Sequence, residues 1–96
     1  MKEIYKDSIY TIFKTNDGFL LQNHTIDGFA HTHLKNYNTA LRIIELSFKK
    51  KCPRDLPRYL VISLYRVNDD EKYKEKIEQI LNIPKKQSYY NRKGAA

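Results

Sequence analysis

One cysteine, three glycines, three prolines and no long apolar run are the scarcities that frame this chain of 96 residues. A solitary Cys52 cannot close an intrachain disulfide, so a reducing, cytoplasmic compartment is the expectation. Two of the glycines sit in turn-like strings, Asn16-Asp17-Gly18 and Asp27-Gly28, which leaves no glycine-rich loop to cradle a phosphate. No apolar stretch approaches the length a membrane-spanning helix needs. Met1 is followed by Lys2-Glu3-Ile4-Tyr5-Lys6-Asp7, without the apolar segment of a secretory signal. The patterns of helix-turn-helix domains, RNA-recognition motifs and zinc fingers are also missing. These absences exclude several routine routes to function but assign none.

What is present is charge, unevenly placed. Residues 1–48 carry five basic and five acidic side chains, whereas residues 49–96 carry thirteen and six, so the whole net charge of +7 belongs to the second half. Clustered lysines and arginines repel one another unless a polyanion neutralises them. Lys49, Lys50, Lys51 and Arg54 form one cluster, which Arg58 and Arg66 extend along the next helical segment. Lys85, Lys86, Arg92 and Lys93 form another, with Tyr89 and Tyr90 between them. Basic groups that neutralise phosphates, beside rings that stack on bases, suit nucleic acid without specifying a sequence. Solvated helix ends and docking on an acidic protein surface are the competing readings. The acidic residues of the second half concentrate between Asp69 and Glu78 beside Lys72, Lys74 and Lys76, a pattern expected of a mixed-charge solvated face.

The periodicities predict an α+β fold, with a three-stranded antiparallel meander followed by three helices on one of its faces. Residues 8–14, 19–26 and 29–34 alternate or are rich in β-branched and aromatic side chains, separated by the two glycine turns. Asn36 or Asn38 can cap a first helix with Ala40, Leu41, Ile44 and Phe48 inward. Lys49-Lys50-Lys51 and Pro53 end it. A second begins near Asp55 with Pro57 in its first turn, and its apolar positions surround most of its circumference. A third opens as a capping box from Asn68 to Glu71, with Tyr73, Ile77, Ile80 and Leu81 inward. The expected boundaries are a single domain over 1–83, with strands about 4–34 and helices about 37–83, and a basic, flexible tail over 84–96. Cys52 and Ser63 read as small packing residues.

The sharpest chemical possibility is the trio His24, His31 and His33. His31 and His33 share a face of one predicted strand. A two-residue turn at Asp27-Gly28 would pair His24 with His31 and gather all three imidazoles for a zinc or manganese ion. A one-residue slip in that turn would send His24 to the other face. The string Ile26-Asp27-Gly28-Phe29-Ala30-His31-Thr32-His33 resembles the metal-binding opening of amidohydrolase barrels, but those are several times longer and the remaining ligands have no place here. His31-Thr32-His33 followed by tyrosine-bearing helices also resembles HUH endonucleases. That resemblance implies a metal on the histidine pair and Tyr59, Tyr65 or Tyr73 as nucleophile, although the middle residue is Thr where a bulky apolar one is usual.

The leading expectation is a small non-catalytic binding protein that docks on nucleic acid or a nucleoprotein through its basic half, without a cofactor. Its size suits a phage- or plasmid-encoded inhibitor of a host defence effector, of the anti-CRISPR kind. The AT-rich codons of Lys, Asn, Ile and Tyr, 38 residues of the 96, agree with such a source. The alternatives are a small metal-dependent nuclease or phosphoesterase using the histidines, and a protein–protein adaptor.

Overall fold

The computed structural model describes residues 1–28 and 30–81. Its elements run β1 (Lys2–Lys6), β2 (Tyr10–Lys14), β3 (Phe19–Asn23), β4 (His31–Leu34), α1 (Tyr37–Lys49), α2 (Arg58–Arg66) and α3 (Glu71–Leu81). The strands form one antiparallel sheet in sequence order. The α+β class and the three helices agree with the sequence reading, but the sheet has four strands and not three. The added strand is β1, whose pairing with β2 is interrupted by an irregularity between Glu3 and Tyr5. Ile4 falls in that interruption and is exposed, so the apolar alternation that would announce a strand is broken. Of the residues of β1, Tyr5 packs against the core.

Register divides the sheet into two unlike faces. Tyr5, Ile12, Leu21 and Thr32 are aligned across it on the inner face. Ile12, Leu21 and Thr32 are almost fully buried there. The other face carries two rows, Glu3–Phe13–Leu20–His33 and Lys6–Thr11–Gln22–His31. α1 packs on β3 and β4, α2 packs on β4, and α3 packs on α2. Ile43, Leu64, Val67 and Ile77 complete a core from which Leu20, on the outer face, is separate.

The turns explain the glycines differently from one another. Gly18 is nearly extended, and its need for a bare Cα comes from Leu34, whose carbonyl oxygen occupies the space a Cβ would take. Gly28 has φ +84 with open space around it, so there the backbone angle alone favours glycine. The connection after β3 is longer than two residues. Asn23 N–H bonds Ala30 O at 2.8 Å, and Gln22 is the residue that pairs with His31.

Helix ends follow local chemistry. Asn36 caps α1 by accepting from Thr39 N–H at 2.9 Å. The other end of α1 closes with Lys50 in the left-handed region (φ 54, ψ 44), its N–H on Ser47 O at 3.2 Å, and Lys51 N–H on Leu46 O at 3.0 Å. The inward face of α1 is Ala40, Ile43, Ile44, Leu46 and Ser47; Leu41 is half-buried, while Phe48, expected inside, is 50% exposed. Phe48 still meets Tyr10 edge-on, with ring centroids 5.8 Å apart. Pro57 stands at the cap of α2 and the helix begins at Arg58, not near Asp55. Leu60, Val61, Ser63 and Leu64 are its buried residues, so one side of α2 is left outward.

Asn68 is not the cap of α3 that the capping-box pattern suggested. Asp70 takes that role: its carboxylate accepts from Tyr73 N–H at 3.3 Å and its carbonyl from Lys74 N–H at 2.9 Å. Asn68 is instead a buried hub. It accepts from Tyr10 Oη at 3.0 Å and donates to Ser47 Oγ at 3.0 Å and Leu64 O at 2.8 Å. Nearby, Asn23 Nδ2 donates to Val67 O at 2.8 Å. Sheet, α1 and the α2–α3 connection are therefore joined by satisfied buried polar groups, each of which would be costly to leave unpaired.

Candidate polyanion-binding surface

The basic cluster between α1 and α2 is built by a helix stop. The left-handed turn at Lys50 reverses the chain, and Tyr73 Oη donates to Lys51 O at 2.7 Å, with Leu46 O at 3.3 Å. Those bonds fasten the lysine run to α3, while burial holds the Tyr73 phenol far above its ordinary range. Lys49, Lys50, Lys51, Arg54, Arg58 and Arg66 are all exposed. Lys49 pairs with Glu45 at 2.9 Å, and Lys50 Nζ stands 3.9 Å from Asp70 Oδ2 and 5.5 Å from the Tyr73 ring centre. Among the described residues no carboxylate lies within ion-pair distance of Lys51, Arg54, Arg58 or Arg66.

Sequence reasoning missed two members. Lys50, Asp70, Lys72, Tyr73 and Lys76 line one shallow hollow of about 310 Å³. Lys72 and Lys76 are one turn apart on α3, so their i, i+4 spacing aims both toward the end of α1. The spacing was visible, but nothing in the sequence said that this side of α3 meets the lysine run. Lys74 belongs elsewhere, its Nζ lying 4.5 Å from the Tyr65 ring centre.

α2 contributes a second strip. Its outward side carries Arg58, Tyr59, Ile62 and Arg66, and no acidic residue occurs in the helix. Tyr59 is 58% exposed, so the apolar positions of this helix do not bury its whole circumference. Arg58 and Arg66 are eight residues apart, about 12 Å along the helix. Tyr65 is partly buried and its hydroxyl donates to Glu78 Oε2 at 2.9 Å, which raises the phenol pKa. Lys85, Lys86, Tyr89, Tyr90, Arg92 and Lys93 lie outside the described residues.

The histidine trio is not assembled. His24 lies beyond the end of β3, where its Nε2 donates to Asp7 O at 3.1 Å. His31 and His33 remain together on the outer face of β4, their ring centroids 5.4 Å apart. Among the described residues no group of three or more His, Cys, Asp or Glu side chains is placed to hold a metal ion. Nor, among the described residues, are Tyr59, Tyr65 or Tyr73 brought to the pair in the manner of an HUH endonuclease. Tyr73 is in the core, and α2, with Tyr59 and Tyr65, packs on the opposite face of the sheet. Cys52 is buried, and burial raises its thiol pKa despite the nearby Lys76, which is the wrong direction for a nucleophile.

No described helix is long and apolar enough to cross a membrane. No family model, curated protein or solved structure matches this chain.

Proposed function

We propose that this is a small binding protein without catalytic chemistry of its own, which docks on nucleic acid or a nucleoprotein through the basic surface at the α1–α2 junction. The observation that carries the reading is the exposure of Lys51, Arg54 and Arg58 without carboxylate partners among the described residues, together with a hollow in which Lys50, Lys72 and Lys76 outnumber the one carboxylate, Asp70. Side chains in that state gain most from phosphates, since no internal ion pair must be broken first. Tyr59 on the adjoining helix offers an exposed ring for an unpaired base. The basic residues of 85–93 would add to the same attraction. A protein of this kind suits the inhibition of a larger nucleoprotein machine, such as a host defence effector.

The test is fluorescence anisotropy with labelled single- and double-stranded oligonucleotides across a salt series. Four neutralised phosphates give a slope of log K against log salt of about −3 to −4. The double variant Lys50→Glu with Arg54→Glu should weaken binding at least about tenfold, as the loss of two phosphate contacts and the gain of two repulsions require. Binding that ignores salt, or is unchanged in the double variant, would overturn the proposal.

A further inference from the structure

The histidine pair on β4 is not used by the basic surface, and its geometry points to a chemistry of its own. His31 and His33 alternate with Thr32 and Leu34, so both imidazoles project from the outer face while the residues between and after them are buried. Thr32 Oγ1 and Ser63 Oγ are 2.9 Å apart and share a buried hydrogen bond that pins the strand to α2. This gives the central Thr a structural reason. Pairing of Leu20 with His33 and of Gln22 with His31 fixes the strand from the other side. The two rings are thus carried by backbone that does not have to reorganise.

We propose that His31 and His33 form a two-imidazole chelate for a borderline divalent cation, Cu²⁺, Ni²⁺ or Zn²⁺. A metal about 2.0–2.1 Å from one nitrogen of each ring places ring centres roughly 5 Å apart. The observed centroid separation, 5.4 Å, is close to that distance. The rings stand edge to face, with an interplanar angle of 86°. The ligand type excludes Mg²⁺ and Ca²⁺, which demand oxygen donors. Imidazole affinity among the three favoured ions follows the order Cu²⁺ above Ni²⁺ and Zn²⁺. With two protein ligands, the remaining coordination positions stay open to water or an added ligand.

Isothermal titration of the full chain with CuCl₂, NiCl₂, ZnCl₂ and MgCl₂ tests this directly, alongside NMR of the histidine rings. Saturable binding of the first three and none of Mg²⁺ is expected, with the His31 and His33 resonances moving together and His24 unaffected. His31→Ala and His33→Ala should each weaken Cu²⁺ binding at least tenfold, and His24→Ala should leave it unchanged. Both histidines are exposed, so neither substitution threatens the core. Absence of saturable binding, persistence in the His31→Ala/His33→Ala double variant, or an equal loss in His24→Ala would each overturn the proposal.

Discussion

Asp7 ties more of the chain together than any other carboxylate described. Its Oδ1 accepts from Ile9 N–H at 2.8 Å and Tyr10 N–H at 2.7 Å, and its Oδ2 from Tyr5 Oη at 2.7 Å. Burial by itself would raise its pKa, but the donors of Tyr10, Tyr5 and Ile9, with the charge of His24 adding a little, hold it below the ordinary value. The same contact pushes the Tyr5 phenol up to about 12, with burial adding to the effect. A carboxylate whose folded pKa is depressed stabilises the fold above the unfolded value, about 3.9, and loses that contribution as pH falls through the lower folded value. Loss of the charge behind those hydrogen bonds in Asp7→Asn should cost about 1 kcal/mol at neutral pH in urea melts, and the variant should lose less stability on acidification. Lys50 is the other residue whose setting matters. An L-residue in the left-handed region is strained by about 1–2 kcal/mol, which glycine avoids while adding unfolded-chain entropy. Lys50→Gly should leave stability equal or raise it by less than about 1 kcal/mol, while weakening polyanion binding. Neither role was legible beforehand, because one depends on three donors gathered at the Asp7 carboxylate and the other on a left-handed backbone at Lys50.

At the scale of elements, the sequence was read best where an apolar period and a turn residue agreed. β2, β3, β4 and the three helices follow such signals. β1 escaped because Lys2, Glu3 and Lys6 are charged, and the interruption at Ile4 puts its two apolar residues out of phase. Phe48 was misplaced because the buried arc of α1 runs through Ile43 and Ser47, leaving the last turn to end at the rim. Asn68 was misread because an Asn before a helix is a capping signal, whereas burial beside Tyr10 and Ser47 made it a joint between elements. Asn68→Ala would leave both hydroxyls without that partner and should lower stability by about 2–4 kcal/mol. Ser47→Ala should cost less, since Tyr10 and Leu64 would keep their bonds to Asn68. Chemical denaturation of the two variants ranks them, and an equal or reversed order would show that Asn68 is not the centre of the network.

For the molecule as a whole, the concentration of charge after residue 48 was plain in the sequence, and its distribution in space was not. Lys72 and Lys76 looked like ordinary members of a solvated helix, yet the Tyr73 hydroxyl bond to Lys51 O brings their side of α3 to the lysine run. Lys74, between them in sequence, points to Tyr65. The surface proposal therefore discriminates among three neighbouring lysines. Lys72→Glu and Lys76→Glu should each weaken oligonucleotide binding about threefold to tenfold at moderate salt, and Lys74→Glu clearly less. Anisotropy titrations at one fixed ionic strength suffice, and equal losses at all three positions would indicate a diffuse field instead of a defined contact region.

The sheet also works as a partition. α1 and α2 are seated against one side, and the row ending in Phe13, Leu20 and His33 looks out from the other. Two guests on opposite sides of a rigid wall neither collide nor share a side chain, and without a state that both prefer they exert no thermodynamic pull on each other. Loading one side should consequently leave the occupancy curve of the other in place.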